Sequence, residues 1–529
     1  MVRVMKIIKS KGFKDFILSF IVYFLVQIKF VNDSWYPTDE CDIYVIGKGI
    51  ARGGVLYKNL TSQHMPISYY ISAFFELLGI KTVANQRLAF YTFFAIVWAA
   101  IFIRYSKFVN KKGLFFAPIL FCFMQPLIEN GTVILSEHIA GLGAVIIFLE
   151  FILFSKNKKL SVSACIMISL SIVLMFGCVF WLAYAIFFIA VGVFAIEIRE
   201  YIKNKISLKK WSAILLKRYL SLAIVIVIPW ICLIIYYAYN DCLRDFIFGA
   251  YTQNRTYYSE YQQVGGNILS PFLQPLDVFF SYIKSNATVG LLGYNVIVQW
   301  VYIICFIVFV YDLWIEKKKI ESITTIFFMF SLGIRSIFSY HGMQCVEVLT
   351  LIGSLVIFEK IIGVKEKFTN YTYKKQIIIV GLFILLSCGY FSDISEILSI
   401  KINVYSYDED AEILKEITKE DEGIGTFCFA NATMMKSDRF PIMGYPATPW
   451  TWEAYRDRFF YKDILNPPRV VLYDDTHGVV EQLQTVYAAE LSSLISTDYK
   501  RIGDSRVYVR DDYYNELDIT RLLELCDGE

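Results

Sequence analysis

The acidic residues of this chain are unevenly placed. Asp33, Asp39, Glu40 and Asp42 crowd together just after the first long apolar run, and Lys58 and His64 follow them. Carboxylates grouped this way can take a proton from a hydroxyl near neutral pH, and they leave room for a shared divalent metal ion, Mg or Mn. A second polar group is Glu137 and His138, in Leu135-Ser136-Glu137-His138; Glu137 could hold a ligand or share that metal. A third is Arg335, His341 and Gln344, in a turn between two late apolar runs. An arginine there can meet a phosphate through two parallel hydrogen bonds, and His341 would add a donor. Arg255 stands in the polar, aromatic stretch Asn254–Gln263, ahead of Gly265 and Gly266. Each of these has a plainer reading. Loop acids are usually just solvated, His64 can be an ordinary interfacial histidine, and Glu137 can simply start a helix. Glu347 can neutralise Arg335, and the tyrosines beside Arg255 can anchor at headgroup level. His477 in Asp474–Gly478 is one histidine among aspartates, which reads as a turn rather than a metal site.

The elements that must position these residues are membrane spans. The 529 residues are 56% hydrophobic and 19% charged, with a mean hydropathy of +0.50. Long apolar runs recur from Phe16 to Tyr390, most near the roughly 20 residues that cross about 30 Å of hydrocarbon. We read about eleven spans: 16–31, 87–103, 113–128, 133–154, 160–178, 180–197, 213–238, 289–311, 321–338, 342–358 and 376–391. The first run follows Lys6, Lys9, Lys11 and Lys14 but precedes no small-residue cleavage site, so it reads as a retained helix rather than a signal peptide. The net charge of +3 carries no argument for a nucleic-acid partner. The 11 cysteines are scattered, with no CxxC pair.

Loop charge orients the spans. The N-terminus, Arg104–Lys112, Lys156–Lys159, Arg199–Lys210, Lys317–Lys319 and Lys365–Lys375 are basic, and with eleven spans all of them fall on one side. Basic loops mark the cytoplasmic side. The expectation is an all-α polytopic membrane bundle over residues 1–391, its N-terminus cytoplasmic, with long exterior loops at 32–86 and 239–288. Residues 392–529 are expected as a small extracytoplasmic α/β domain. Asp408–Thr418 has helical spacing, Gly423 and Gly425 break it, and Thr426–Ala430, Arg469–Tyr473 and Arg506–Arg510 read as strands, with a helix over Gln482–Ser496.

The first exterior loop carries the most pattern. A helix is expected from about Asp39 to Arg52, lying along the membrane, with Asp39 near its start where free backbone N–H groups favour a carboxylate. Pro66 opens an amphipathic run, Ile67–Leu78, too short to span and read as an interfacial helix with its apolar face down. The ordered set Pro37-Thr38-Asp39-Glu40, a helix, Gly53-Gly54-Val55-Leu56-Tyr57-Lys58, His64-Met65-Pro66, Tyr69-Tyr70 and Phe74-Phe75-Glu76-Leu77-Leu78-Gly79 resembles the first loop of the GT-C superfamily. These are integral-membrane glycosyltransferases that use polyprenyl-phosphate sugars, and protein O-mannosyltransferases and aminoarabinose transferases are among them. The motif likeness covers Val31–Ile80; elsewhere the likeness is one of layout.

The resemblance implies a GT-C-like fold and transfer of a sugar, with inversion, from a polyprenyl-phosphate donor to an extracytoplasmic glycan, lipid or protein, a cell-envelope glycan being favoured. It implies that Asp39 is the catalytic acid/base residue, that Glu137 is a second acidic residue, and that a late outer turn carries a basic residue for the phosphate. Arg335, His341, Arg255 and His64 are the candidates for that phosphate; Lys58, Gln344 and His138 are further candidates. His64 before Met65-Pro66 departs from the Lys-Pro-Pro of relatives. Two other classes remain open: a glycolipid transporter, which would carry ionisable residues near mid-membrane and broken helices, and a non-catalytic assembly protein.

Overall fold

The computed structural model describes residues 11–32, 38–128, 130–205, 207–258, 294–361, 408–428, 430–441, 468–473 and 493–526, with single positions between 277 and 284 and between 381 and 387. The span expected at 376–391 lies largely outside these residues, as do the turn 474–478, most of the helix expected over 482–496, and the stretch 259–266.

The helices are α1 (Lys11–Gln27), α2 (Thr38–Ala51), α3 (Ile67–Leu77), α4 (Val83–Tyr105), α5 (Lys111–Met124) and α6 (Ser136–Asn157). They continue as α7 (Val162–Phe176), α8 (Ala183–Asn204), α9 (Leu208–Tyr239), α10 (Leu243–Ile247), α11 (Tyr294–Ile315), α12 (Lys319–Leu332) and α13 (Met343–Val356). Four short helices close the chain: α14 (Glu409–Ile417), α15 (Asn431–Ser437), α16 (Asp511–Tyr514) and α17 (Ile519–Cys526). The strands are β1 (Gly423–Phe427), β2 (Phe440–Pro441), β3 (Val470–Tyr473), β4 (Tyr499–Arg501) and β5 (Val507–Arg510). The chain forms two compact units, one of Met1–Val31, Leu88–Leu233 and Gly266–Ile400, the other of Asn32–Arg87, Ile234–Gly265 and Lys401–Glu529. The two exterior loops of the sequence reading thus supply much of the unit that holds the C-terminal segment.

The first unit is a helical bundle. Among the described residues, six helical stretches are long and apolar enough to cross a membrane: Val83–Tyr105, Ser136–Asn157, Phe180–Asn204, Leu208–Tyr239, Val296–Ile315 and Tyr340–Lys360. The protein is a multi-pass membrane protein, with six long helices where the sequence reading has about eleven spans. Four other expected spans are helical but short: α1 has 17 residues, α5 14, α7 15 and α12 14. A 14-residue helix rises about 21 Å, short of the hydrocarbon thickness. Hydropathy alone cannot see where these helices stop. α7 ends at Gly177 and α12 at Gly333, while α5 passes into a 3-10 turn, Gln125–Leu127, that contains Pro126.

The bundle packs as membrane helices do, through small residues that let backbones approach. A Cβ on Gly192 of α8 would fall 2.3 Å from Thr324 Oγ1 of α12. One on Gly113 of α5 would fall 2.9 Å from the Leu355 backbone beyond α13's middle, where Ser354 Oγ donates to Gly113 O at 2.7 Å. α6 and α13 are the buried centre: every residue of α13 is buried, and so is every residue of α6 from Ser136 to Phe151.

In the second unit a five-stranded mixed sheet runs in the order β2-β1-β3-β5-β4. β1 is parallel to both β2 and β3, and β5 is antiparallel to β3 and β4. Leu472, for example, pairs with Thr426 on one side and Val507 on the other. β3 and β5 fall where the alternating apolar pattern predicts them. β1 starts earlier, taking in Gly423 and Gly425, which the sequence reading treats as breakers. Pairing on both flanks supplies the hydrogen bonds that hold this glycine-containing strand.

α2 is the centre of the same unit. It is buried from Glu40 to Gly49 and packs against α3 and α15. A helix covered on most of its faces is held by packing rather than by its own sequence. Close approach to α3 needs Gly47, whose Cβ would lie 2.4 Å from Ser72 Oγ. α3 does behave as an amphipathic surface helix, with its polar side inward. Ser68, Tyr69, Ser72 and Glu76 are buried while Phe74, Leu77 and Leu78 are 58–69% exposed. That inverted pattern suits a surface laid against hydrocarbon.

Candidate functional site

α2 begins at Thr38, so its first turn carries Asp39 and Glu40. The two neighbours meet opposite environments because successive residues on a helix point about 100° apart. Asp39 is exposed. Glu40 is fully buried and bound on both oxygens: Arg87 Nε donates to Oε1 at 2.7 Å, Arg87 Nη2 to Oε2 at 2.6 Å, and Tyr44 Oη to Oε1 at 2.5 Å. Arg87, in the first turns of α4, is equally buried. A buried carboxylate needs such a fork to offset its lost hydration. Glu40, a candidate for acceptor or metal binding in the sequence, is thus bonded within the fold. Its oxygens are committed to holding α2 against the start of α4.

Asp42 is buried one turn further on. Tyr69 Oη donates to its Oδ2 at 2.7 Å, Ser62 Oγ donates to Tyr69 Oη at 2.7 Å, and the His64 N–H donates to Ser62 Oγ at 3.0 Å. Its other oxygen, Oδ1, has no hydrogen-bond partner among the described residues. Burial pushes the carboxyl up to about 7, against the pull of the Tyr69 bond, and the nearby Asp39 charge adds to the rise. Asp42 is thus a buried acid with a raised pKa, not a solvated one.

The loop from Gly53 to Pro66 is pinned at several points. Tyr57 takes a left-handed backbone conformation, φ 69°, and its ring packs against Tyr237 and Phe246. Its hydroxyl donates to His64 O at 2.6 Å, and Asn254 Nδ2 donates to Gln63 O at 2.5 Å. His64 is half-buried, its backbone held at both N–H and C=O. Lys58 is exposed and donates to Asn240 O at 2.7 Å. Arg255 is exposed in the π-type turn Asn254–Tyr258, where its Nη1 donates to Tyr251 Oη at 2.9 Å. Further along α2, the buried Lys48 forms an ion pair with Asp438, which caps α15 in a left-handed conformation. Burial pulls the Lys48 ammonium down. Asp438 lies low despite its own partial burial, because Lys48 donates to it.

In the bundle unit the structure brings Glu137 and His341 together. Glu137 opens α6, and its Oε1 lies 3.1 Å from His341 Nδ1 in the 3-10 turn Tyr340–Gly342. Gln344 is fully buried and its Nε2 donates to Leu332 O at 2.7 Å and His341 O at 3.3 Å. That makes it a tie between the end of α12 and the start of α13. His138 is likewise bonded within the fold. It is fully buried, Nδ1 accepts from the Leu135 N–H at 3.4 Å, and Nε2 lies 3.2 Å from Gly131 O. With Nδ1 accepting, the proton sits on Nε2 and both nitrogens are used within the fold.

Arg335 lies three residues past α12, in an irregular turn rather than on the helix that the sequence reading extends to 338. Its guanidinium carbon is 5.9 Å from the centre of the Trp181 ring. Glu347 does not pair with it. This carboxyl is buried in α13 against Gly141 of α6, and its Oε2 has no partner among the described residues.

Asp39, Glu40, Asp42, Lys58, His64 and Arg255 thus belong to one unit and Glu137, His138, Arg335, His341 and Gln344 to the other. Arg87, Tyr69 and Lys48 are the organising residues that sequence reasoning passes over. Arg87 carried a signal: it is a lone arginine at the edge of an apolar run, where an unpaired charge is costly. Both Glu40 oxygens are engaged, and among the described residues no group of three or more His, Cys, Asp and Glu is placed to hold a metal ion. No family model matches the chain, and no curated protein shows a significant match to it.

Proposed function

We propose that the protein is a membrane glycosyltransferase that moves a sugar from a polyprenyl-phosphate donor to an acceptor on the extracytoplasmic side, with a cell-envelope glycan favoured as acceptor. The ordered motif of Val31–Ile80 supports the class. One structural observation carries the choice of residue: of Asp39, Glu40 and Asp42 on α2, Asp39 alone is exposed, the others being buried and bonded.

In the proposed reaction an acceptor hydroxyl oxygen attacks the anomeric carbon from the face opposite the phosphate. The new C–O bond forms as the bond to the phosphate oxygen breaks, the configuration inverts, and Asp39 takes the hydroxyl proton. The lipid phosphate leaves with the bonding electrons and needs positive charge or donors rather than a proton. Of the candidates for it, Arg255 and His64 belong to the unit that carries Asp39. The buried Glu40–Arg87 pair holds α2 so that Asp39 keeps its position, a second layer of support of the kind active sites need.

A second reading, a glycolipid transporter, is favoured by one observation: Glu347 is a buried carboxyl within an apolar helix, and one of its oxygens has no partner among the described residues. The deciding experiment is transfer by the purified protein in nanodiscs from a panel of polyprenyl-phosphate sugars, beside Asp39→Asn. Transfer or donor hydrolysis that disappears in the folded variant supports the enzyme and names its sugar. Activity unchanged in Asp39→Asn, or no turnover of any donor with matched acceptors present, removes the proposal.

A further inference from the structure

Glu40 and Asp42 are both buried on α2, but they are bonded differently. Arg87 Nε, Arg87 Nη2 and Tyr44 Oη together engage both oxygens of Glu40. Asp42 is 5% exposed and accepts from Tyr69 Oη through Oδ2, at 2.7 Å. Its Oδ1 is buried with no hydrogen-bond partner among the described residues. A carboxyl that only holds a fold together is bonded on both oxygens, because each orphaned buried acceptor lowers stability. A half-bonded carboxyl in an acidic turn has the environment of a functional acid instead.

Asp42 stands three residues after Asp39. Residues at that spacing are neighbours on a helix, with ~5–6 Å between their Cβ atoms. The two carboxyls therefore share one side of α2, Asp39 at the surface and Asp42 buried. Other titratable and charged groups approach this turn from each side. On α2 they are Glu40, paired with Arg87 of α4, and the Cys41 thiol. Tyr69 comes from α3, and His64 from the loop joined to Tyr69 through Ser62. Lys436 of α15 acts on Cys41 and pairs with Asp408 at 3.4 Å. Beyond burial, the groups that act on the Asp42 carboxyl are Tyr69, which favours its charge, and Asp39, which opposes it. Such coupling is reciprocal. A negative Asp42 favours the arrival of a proton on Asp39, and a proton on Asp39 favours charge on Asp42.

We propose that Asp42 is a positioning residue for the transfer step: one turn from Asp39 and held by Tyr69, its buried carboxylate opposes the charge of Asp39 and so draws the acceptor proton onto it. The bonds made and broken in transfer are unchanged, and the proton still ends on Asp39. The inference rests on the reading of Asp39 as the base of the proposed reaction.

Two measurements on the full-length protein test it. The first needs no turnover: unfolding midpoints against pH, in detergent, for wild type, Asp42→Asn, Asp39→Asn and the double variant. The difference made by Asp42→Asn is expected to level off near pH 7 when Asp39 is present, and about one pH unit lower when Asp39 is replaced. The second is the rate of transfer in nanodiscs between about pH 5 and 9, with the donor that the panel identifies. Wild type is expected to speed up by about threefold across this range, and Asp42→Asn should lack the rise. Tyr69→Phe removes the donor that favours charge on Asp42, so it should move the rise to higher pH. It also gives an independent reading should Asp42→Asn fail to fold, and an unmoved profile in Tyr69→Phe overturns the proposal. Levelling at the same pH with and without Asp39 overturns it whatever the rates. So does a rise that survives in Asp42→Asn, which would belong to another group, His64 first. Coupling without turnover of any donor means that the transferase reading has failed and takes the role of Asp42 with it. Turnover without coupling means that the role of Asp42 alone has failed.

Discussion

Glu40 and Arg87 are joined by two parallel hydrogen bonds, 2.7 and 2.6 Å long, and neither side chain is exposed to solvent. The pair spans two helices and ties the acid-bearing turn of α2 to the first turns of α4. Breaking it from one side leaves a buried charge without its counter-charge. Glu40→Gln or Arg87→Leu should each lower stability by about 3–5 kcal/mol, read as thermal unfolding in detergent. Glu40→Leu with Arg87→Leu should cost less than the sum of the single changes. An additive double variant would show that the two groups are not energetically coupled.

Asp39 makes the opposite prediction. It is exposed, so Asp39→Asn should lose at most about 1 kcal/mol of stability, the worth of a carboxylate at a helix start. Transfer by the same variant should fall by roughly 10²–10⁴-fold. Comparable losses of folding and activity would mean that Asp39 acts as a structural cap.

The buried Asp42 gives a pH signature. Its carboxyl titrates near 7 in the folded protein, raised from 3.8 chiefly by burial. Unfolding at a pH between about 4 and 7 therefore releases a proton, and the contribution of this residue to stability declines as pH rises through that window. Asp42→Asn removes the titration and can still accept from Tyr69. At pH 8 the variant should be more stable than wild type by up to about 4 kcal/mol, and near pH 4 the difference should vanish. Parallel unfolding midpoints for the two proteins across this range would contradict the assignment.

Gly141 and Glu347 make a steric prediction in the bundle. A Cβ at position 141 would lie 2.6 Å from the Glu347 carboxyl carbon. Gly141→Ala should cost about 1–3 kcal/mol through overpacking. In a Glu347→Ala background the same change should be nearly free, because the obstructing group is gone. A cycle of the two changes by thermal unfolding reads the coupling; an equal cost in both backgrounds would place the strain elsewhere.

Local pattern was enough for much of the architecture. Six of the long apolar runs are the six long helices, and α2, α3, α14, β3 and β5 fall close to the segments that helical spacing, strand alternation and Pro or Gly punctuation mark out. These signals lie within a window of a few turns, which is why they survive in a single sequence. The acid-rich start of α2 was also legible, as was the special place of its first turn.

Tertiary structure decided which acid is which. Asp39, Glu40 and Asp42 are nearly indistinguishable as letters. Their fates follow from partners far along the chain: Arg87, 47 residues from Glu40, and Tyr69, 27 residues from Asp42. Burial of α2 required α3 and α15 to close over it, and nothing within its own 14 residues specifies that. The same holds for β2 and β4, whose two and three residues become strands only because β1 and β5 offer them unpaired edges. Helix ends were decided late as well, since the stops at Gly177, Gln125 and Gly333 leave hydropathy almost unchanged while shortening α7, α5 and α12. Periodicity is a local property of the chain, whereas the environment of a charge is set by whatever the fold packs against it.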